Sequence, residues 1–292
     1  MNYERAKAYL LSTVNETVSR RVPYRLERMR VFLRALGDPQ DQYPTVHVGG
    51  TSGKGSTSTM IASVLTASGK RCGLHTKPHL SSMTERARVD GVAISEELFA
   101  ELLTEMQPAI EATTAEFSRP SYYETLLALA FVYFAHERVD IAVIEVGLGG
   151  TLDGTNVITP LVSVITNIGL DHMEVLGPTL EAIAADKAGI AKPGVPLVCG
   201  VDLPSPKAVI REHCERAGAP FIAVSERVLE ARIKSEGRYG QAFDITTQRG
   251  TYELDIPLLG NFQPRNASVA IVALEQLPAP FLPSVEDVRR GF

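Results

Sequence analysis

A glycine-rich turn at residues 49–55 constrains the fold of this chain more than any other stretch. It follows a short β-branched run, Thr45–Val48, and opens a helix-like run from Ser56 to Ala67. A strand, a tight glycine turn and a helix N-terminus form an anion cradle, because backbone N–H groups point inward and the helix dipole adds partial positive charge. Lys54 places a full positive charge beside them. The stretch therefore predicts a loop that binds nucleotide phosphates.

The turn differs from the usual phosphate-loop pattern G-x-x-x-x-G-K-[ST] at two positions. Val48 stands where the first glycine would fall, and Gly55 follows the lysine, so the hydroxyl of Ser56 comes one place late. The alternative interpretation is a glycine-rich turn with a chance lysine. Agreement among strand, turn, lysine, hydroxyl and helix favours the phosphate loop.

The composition excludes several classes of function. Of 292 residues, 45% are hydrophobic and 22% are charged, which is typical of one large or two medium globular domains with ample core. A net charge of −5 gives no support for nucleic-acid binding. The polar N-terminus and the lack of a long apolar run predict neither a signal peptide nor a membrane span. Three cysteines without C-x-x-C spacing indicate a reducing compartment, so we expect a cytoplasmic protein.

Strands and helices alternate from residue 45 to 224, which predicts an α/β fold: a doubly wound, mostly parallel sheet with helices on both faces. The expected strands are 45–48, 71–76, 140–146, 161–168, 195–201 and 221–224. The expected helices are 2–19, 25–36, 56–67, 95–116, 122–136, 179–190, 205–217 and 264–276. Ligands of such sheets bind at the carboxyl ends of the strands.

The pattern changes after residue 227. Residues 241–246 and 251–256 alternate apolar and polar side chains on either side of a short turn, which predicts a small antiparallel β-hairpin appended to the sheet. We expect residues 1–276 to form one ATP-binding domain. The segment 277–292 contains three prolines and is predicted to be a linker.

Polar side chains follow three of the predicted strands. Lys54, with Ser56 and Thr57, follows the first strand, and Glu145 ends a buried one. A carboxylate beside a phosphate loop favours a Mg²⁺-linked role over a charge that merely emerges at a strand end. His172 follows a third strand among polar neighbours, so a functional role is favoured over a structural one. Lys187 looks, from spacing alone, like a solvated lysine.

Short motifs in order along the chain resemble the folylpolyglutamate synthase/dihydrofolate synthase family of Mur-ligase-like, ATP-dependent amide-bond formers. Each motif is weak alone, but the combination is specific. The motifs are Leu26–Met29, Gly50–Ser56, Pro78–Leu80, Glu85–Arg86, Val89–Gly91, Glu145–Gly150, Leu152–Asp153, Thr155–Asn156, Leu170–His172, Leu176–Gly177, Lys187–Ile190 and Leu258–Gly260 with Gln263 and Asn266.

The resemblance implies a role for particular residues. The residues that it assigns to ATP are Gly50, Thr51, Ser52, Gly53, Lys54, Gly55, Ser56 and Asn266. Those assigned to Mg²⁺ are Glu145, His172 and Lys187, the last as a carbamylated lysine. Those assigned to the pterin-bearing substrate are Ser121, Tyr122, Tyr123, Glu124, Leu152, Asp153 and Gly154. The implied catalytic residues are Lys54, His172 and Lys187.

The implied reaction adds L-glutamate to a carboxylate of folate or dihydropteroate. ATP phosphorylates the carboxylate, the glutamate amine attacks the acyl phosphate, and phosphate leaves, so the protein mainly positions and neutralises charge. The expected partners are these small molecules and Mg²⁺, with no nucleic acid, no membrane and a monomeric state. The alternatives are a nucleotide-binding module without ligase activity and a Mur-like ligase for another carboxylate.

The chain departs from the family pattern at three positions and at its end. Lys77 stands where the family usually has a serine that ligates Mg²⁺, Thr151 where it has arginine, and Phe262 where it has histidine. The family continues past residue 292 into a second, smaller α/β domain that completes the ATP and glutamate sites. Without that domain, we expect ATP binding with little ligase turnover.

Overall fold

A mostly parallel eight-stranded sheet forms the centre of the computed structural model, which describes residues 1–14 and 26–292. Its strands are β1 (Thr45–Gly49), β2 (Cys72–His75), β3 (Arg88–Val89), β4 (Val92–Ala93), β5 (Ile141–Glu145), β6 (Val162–Ile165), β7 (Leu197–Cys199) and β8 (Phe221–Ala223). Their spatial order is β4-β3-β2-β5-β1-β6-β7-β8. Only the β2–β3 and β3–β4 pairs are antiparallel. The predicted α/β sheet is therefore confirmed.

Helices cover both faces of this sheet. They are α1 (Tyr3–Leu11), α2 (Leu26–Ala35), α3 (Lys54–Ala67), α4 (Glu96–Glu105), α5 (Gln107–Glu116), α6 (Tyr122–His136), α7 (Met173–Leu176), α8 (Leu180–Ala188), α9 (Pro204–Ala217), α10 (Val224–Arg227), α11 (Gln263–Leu274) and α12 (Val285–Gly291). Short 3₁₀ turns lie at Pro39–Asp41, Met83–Arg86 and Gly154–Val157. Among the described residues, no helix is both long and apolar enough to cross a bilayer.

Strand β5 shows how the two faces divide. Ala142 and Ile144 join the core formed by α1, α2, α4, α5 and α6, whereas Ile141 and Val143 join the core formed by α3 and α11. All four side chains are fully buried. A strand that is apolar on every residue is what a parallel strand between two helical layers requires.

The predicted hairpin is present, within a sheet that has a third strand. Strands β9 (Val228–Gly237), β10 (Gly240–Thr247) and β11 (Gly250–Ile256) pair in the order β11-β10-β9. Phe243 and Ile245 of β10 are buried against the α3–α11 layer. Almost every residue of β9 is exposed. Its residues Leu229–Lys234 alternate apolar and polar side chains, so the strand could have been predicted, but it was not.

Three other expectations differ from the structure. The predicted helix 95–116 is two helices, α4 and α5, which meet at Met106 because Pro108 has no backbone N–H to continue the first. Strands β3 and β4, each two residues long, were not predicted, although Asp90-Gly91 between them is a typical two-residue hairpin turn. Helix α1 ends at Leu11, and residues 15–19 and 25 of the predicted helices lie outside the described residues.

The predicted linker 277–292 contains helix α12, which packs against α3. Ser284 caps this helix, Val288 is only 2% exposed, and the Arg290 guanidinium donates to the carbonyl of Ala67 at 2.9 Å. A Cβ on Gly291 would lie 2.8 Å from Val64 N, so only glycine fits this approach without displacing α3. The segment is therefore part of the packed core, and its role as a connection to a further domain stays a prediction.

We expect Val288→Ala to lower the free energy of unfolding by about 2 kcal/mol, because it leaves a cavity between α12 and α3. The matched control is Val285→Ala on the same helix, where the side chain is 39% exposed and the change should stay below about 0.5 kcal/mol. Urea denaturation monitored by circular dichroism measures both. Equal effects for the two variants would show that α12 is not held by this contact.

Candidate active site

The glycine-rich turn connects β1 to α3 at the carboxyl edge of the sheet. Its backbone enters the left-handed region at Gly50 (φ 138°) and at Gly53 (φ 77°). A Cβ on Gly50 would overlap the Thr166 hydroxyl, and a Cβ on Gly53 would overlap the side-chain oxygen of Asn266. Both positions thus require glycine for conformation and for space. The predicted strand, turn and helix are confirmed here.

The loop that follows β6 holds the turn in place. The N–H of Thr51 donates to the carbonyl of Asn167 at 3.0 Å, and the N–H of Ser52 donates to the Asn167 side chain at 2.8 Å. The Thr166 hydroxyl donates to the carbonyl of Ser52 at 2.6 Å, and Gly169 N–H donates to the Thr51 hydroxyl at 3.0 Å. These bonds rigidify the turn before any ligand arrives.

Two lysines converge on one carbonyl oxygen of the turn. Lys54 Nζ donates to Gly50 O at 3.1 Å and to Thr51 O at 3.0 Å, and Lys187 Nζ donates to Gly50 O at 3.0 Å. Burial lowers the pKa of Lys187 to about 8, and the nearby Lys54 ammonium adds to that effect. Burial also lowers the pKa of Lys54, opposed by the Glu145 carboxylate. The structure thus places Lys187 inside the site, not on the solvated surface that its spacing indicates.

Glu145 ends β5 and is only 3% exposed. Its Oε2 accepts a hydrogen bond from the N–H of Lys77 at 3.2 Å and would lie 3.5 Å from a Cβ at Gly55. The carboxylate therefore faces the start of α3. Burial raises the pKa of Glu145, opposed by the Lys77 N–H and the Lys54 ammonium.

The residues present fit a Mg²⁺ ion that is shared with phosphate. Residues 1–14 and 26–292 contain no group of three His, Cys, Asp or Glu side chains that could hold a metal by themselves. Mg²⁺ commonly takes one or two carboxylates and fills its remaining positions with phosphate oxygens and water. The buried carboxylate of Glu145 beside the phosphate loop supplies such a position.

His172 lies on the exposed rim of this region. Its backbone is left-handed (φ 50°), it occupies the N-cap position of α7, and its Nε2 lies 3.6 Å from Asp171 Oδ2. The imidazole lines a cleft of about 330 Å³ that opens beside the phosphate loop. The cleft is lined by Lys77, Pro78, Arg86, Tyr122, Tyr123, Gly147, Leu148, Asp153 and His172.

Asp153 organises the wall of the cleft. It accepts hydrogen bonds from the Tyr123 hydroxyl at 3.0 Å, from Leu148 N–H at 2.8 Å, and from the backbone N–H and the hydroxyl of Thr155 at 2.9 and 2.5 Å. His47 of β1 in turn lies 2.8 Å from the Thr155 hydroxyl. Burial and the Asp153 charge raise the pKa of Tyr123, so its hydroxyl stays protonated and donating.

The other residues assigned to the substrate have mainly structural contacts. Ser121 and Glu124 form a capping box at the start of α6, and Glu124 also makes a buried ion pair with Arg28 at 2.8 Å. Leu152 is half exposed, and Gly154 lies beside Leu127 at the start of the 3₁₀ turn Gly154–Val157. Of the seven, Tyr122, Tyr123 and Asp153 reach the cleft.

Asn266 of α11 lies against the turn. Its side-chain oxygen faces Gly53, and its amide donates to Gln263 Oε1 at 3.0 Å. Helix α11 is more than two hundred residues from the turn along the chain, so only packing of α11 against α3 brings them together. The ATP-assigned residues thus form one continuous surface.

Sequence reasoning assigned no role to several residues of the site. Thr166 and Asn167 lock the turn, and the fact that they directly follow a buried strand was a usable signal. Arg86 donates to His79 Nδ1 at 2.9 Å, and its guanidinium lies 5.6 Å from the centre of the Tyr122 ring. Nothing in the sequence pattern pairs that arginine with that tyrosine.

Comparison with known proteins agrees with this arrangement of sheet, phosphate loop and cleft. Residues 48–274 match the model of the Mur ligase middle domain. The chain is 39% identical over 272 residues to the dihydrofolate synthase/folylpolyglutamate synthase of Bacillus subtilis. This alignment covers 90% of this chain and 61% of that protein. It is 38% identical over 301 residues to the folylpolyglutamate synthase of Lacticaseibacillus casei. This alignment covers 100% of this chain and 68% of that protein.

Solved structures of folylpolyglutamate synthases have the same fold as this chain. A structure described as an FPGS–AMPPCP–folate complex superposes with a TM-score of 0.90 at 36% identity, covering 100% of this chain and 71% of that one. Folylpolyglutamate synthase from Thermotoga maritima superposes with a TM-score of 0.87 at 35% identity, covering 99% and 65%. The fold and phosphate loop are thus those of a Mur-type ligase middle domain. Within that class, the chain belongs to the folylpolyglutamate synthase/dihydrofolate synthase family, and it spans roughly three fifths of the B. subtilis relative (61%).

We expect Gly50→Ala to lower the free energy of unfolding by about 2–4 kcal/mol, since it adds both backbone strain and a clash with Thr166. The control is Gly69→Ala, where φ is also positive (82°) but a Cβ would have open space, so only about 1 kcal/mol of strain is expected. Urea denaturation of both variants gives the comparison. If Gly50→Ala is no worse than Gly69→Ala, the contact with Thr166 does not constrain the turn.

A second expectation concerns His75, the last residue of β2, and the pH dependence of the free energy of unfolding. Burial lowers the pKa of this histidine from 6.5 to about 4. Its Nδ1 lies 2.8 Å from the carbonyl of Arg86, and its Nε2 has no partner among the described residues. As the pH falls below 6.5, the unfolded chain binds the proton first. The stability that His75 contributes is therefore present above that pH and is lost towards pH 4.

The wild type should therefore lose about 3 kcal/mol more than His75→Asn between these two pH values. Urea titrations at several pH values measure the difference. His136→Asn, which removes an exposed histidine of α6, is the control for the substitution itself. A His75→Asn variant with an unchanged pH profile would contradict this interpretation.

Proposed function

We propose that this chain binds ATP and carries the phosphoryl-transfer site of a ligase that joins L-glutamate to the carboxylate of a folate or dihydropteroate. The observation that supports this most directly is the convergence of Lys54, Lys187 and Glu145 on one rigid glycine turn beside a cleft. The named activities of the B. subtilis and L. casei relatives support the choice of acceptor.

The turn is suited to hold the phosphates of ATP. The positive end of α3 and the Lys54 ammonium attract negative charge, and the bonds from Thr166 and Asn167 of the β6 loop keep the backbone of the turn rigid. Asn266 borders the turn on the side of Gly53. A preorganised cradle lowers the reorganisation needed when charge moves from ATP to the acceptor carboxylate.

The cleft is suited to hold an aromatic acceptor with an anionic end. Tyr122 and Tyr123 supply ring surfaces, Asp153 is held rigidly for hydrogen bonding, and Arg86 and Lys77 supply positive charge. A volume of about 330 Å³ is at the lower end of small-molecule sites. The folate complex of a related structure supports a folate-like ligand here.

The carboxylate of the acceptor would attack the terminal phosphorus of ATP, giving an acyl phosphate and ADP. The amine of glutamate would then attack the acyl carbon, and phosphate would leave. Lys54 would neutralise charge on the transferred group in the first step.

Glu145, His172 and Lys187 are the residues we propose as Mg²⁺ ligands. A bound Mg²⁺ would neutralise phosphate charge during transfer. A carbamate on Lys187 would turn its cation into a carboxylate, and the burial of this lysine, with a pKa of about 8, favours the neutral amine that such a modification needs. A cytoplasmic location and a monomeric state stay predictions.

We expect wild-type chain to bind a non-hydrolysable ATP analogue in isothermal titration calorimetry, and Lys54→Met to weaken that binding at least tenfold by removing a charged contact to phosphate. Phosphate release from ATP should require both L-glutamate and a pteroate acceptor, dihydropteroate or folate. Lys187→Met should abolish the release. Lys7→Met, on the exposed surface of α1, is the control.

The outcomes separate the candidates. Release that depends on both substrates supports the ligase, whereas ATP binding without any substrate dependence supports a nucleotide-binding module. Release with glutamate and a different carboxylate supports another Mur-like ligase.

A further inference from the structure

Lys77 is a cation in the site to which the phosphoryl-transfer steps outlined above assign no role. It follows β2, lines the cleft, and donates its backbone N–H to Glu145 Oε2 at 3.2 Å. Its ammonium group has no hydrogen-bond or ion-pair partner among residues 1–14 and 26–292. The backbone bond fixes where Lys77 stands, while the charged end of its side chain remains available.

The other two ammonium groups of the site are used differently. Lys54 and Lys187 both donate to the Gly50 carbonyl and so hold the turn. The Lys77 charge is near enough to contribute to the lowered pKa of both. Three like charges therefore lie close to one another at the phosphate loop, and an anion bound between them would lower their mutual repulsion.

The carboxylates of the site balance part of this positive charge without pairing with Lys77. Those that oppose the lowering of the pKa of Lys54 or Lys187 are Glu145, Asp153, Asp171 and Asp186. Glu145 accepts the Lys77 backbone N–H, but among the described residues no carboxylate forms an ion pair with the Lys77 ammonium. This ammonium lies at the junction between turn and cleft, where the end of a triphosphate held by the turn would enter the cleft.

We propose that the Lys77 ammonium binds the terminal phosphoryl group of the bound nucleotide and positions it towards the cleft. This inference rests on the proposed function, because it assumes that the turn binds a nucleoside triphosphate. Lys77 thereby provides positive charge next to Glu145. Without this lysine, Mg²⁺ alone would provide that charge. Affinity for a triphosphate should accordingly depend less on Mg²⁺ than it does without this lysine.

The test compares a triphosphate with a diphosphate. Isothermal titration calorimetry of the 292-residue chain uses AMPPCP and ADP, each with Mg²⁺ and with EDTA. We expect Lys77→Met to weaken AMPPCP binding about tenfold and ADP binding less than about twofold, because only the triphosphate carries the contacted group. The loss of AMPPCP affinity caused by Lys77→Met should be larger in EDTA than in Mg²⁺. Lys77→Arg should retain most of the affinity, and Lys7→Met should match wild type.

Each other outcome overturns the inference. Equal weakening of AMPPCP and ADP would place Lys77 away from the terminal group, and unchanged binding of both would show that it contacts no phosphate. Loss of acceptor binding alone would assign Lys77 to the acceptor carboxylate. Wild-type chain that binds neither nucleotide would refute the proposed function itself. Thermal melts of Lys77→Met and Lys77→Arg separate loss of contact from loss of fold.

Discussion

The carbonyl oxygen of Gly50 accepts hydrogen bonds from two ammonium groups, Lys54 from the turn itself and Lys187 from a helix far along the chain. This shared acceptor joins β1, α3 and α8 at one point. It also places two buried positive charges side by side. The Glu145 and Asp186 carboxylates balance them in part, and a bound anion would balance them further. The rest of the site is arranged around that point.

Two structural devices keep the charged turn rigid. The loop after β6 bonds the turn through Thr166 and Asn167, and left-handed glycines let the backbone pass within contact of Thr166 and Asn266. Glu145 is buried at the neighbouring strand end, with an N–H donor from Lys77. A site that is held by backbone bonds in this way can neutralise charge without rearranging during phosphoryl transfer.

Much of the fold followed from local patterns. The phosphate turn, the parallel strands and the β10–β11 hairpin were predicted from apolar runs, alternation and glycine positions, because burial on both faces or on one face leaves a distinct periodicity. Strand β9 was missed although residues Leu229–Lys234 alternate apolar and polar side chains. The break between α4 and α5 was missed because a single proline decided it. Helix α12 was missed because three prolines precede it in a segment that resembles a linker.

The sequence by itself determined the fold class, the phosphate loop and the family, since these depend on residue types at short spacing. Only the tertiary structure decided what each side chain does. It moved Lys187 from a solvated surface to the Gly50 carbonyl, assigned Glu124 to a buried pair with Arg28, and left the Lys77 ammonium unpaired in the cleft. Such roles depend on contacts between residues far apart in the chain, and these contacts form only when both faces of the sheet are packed.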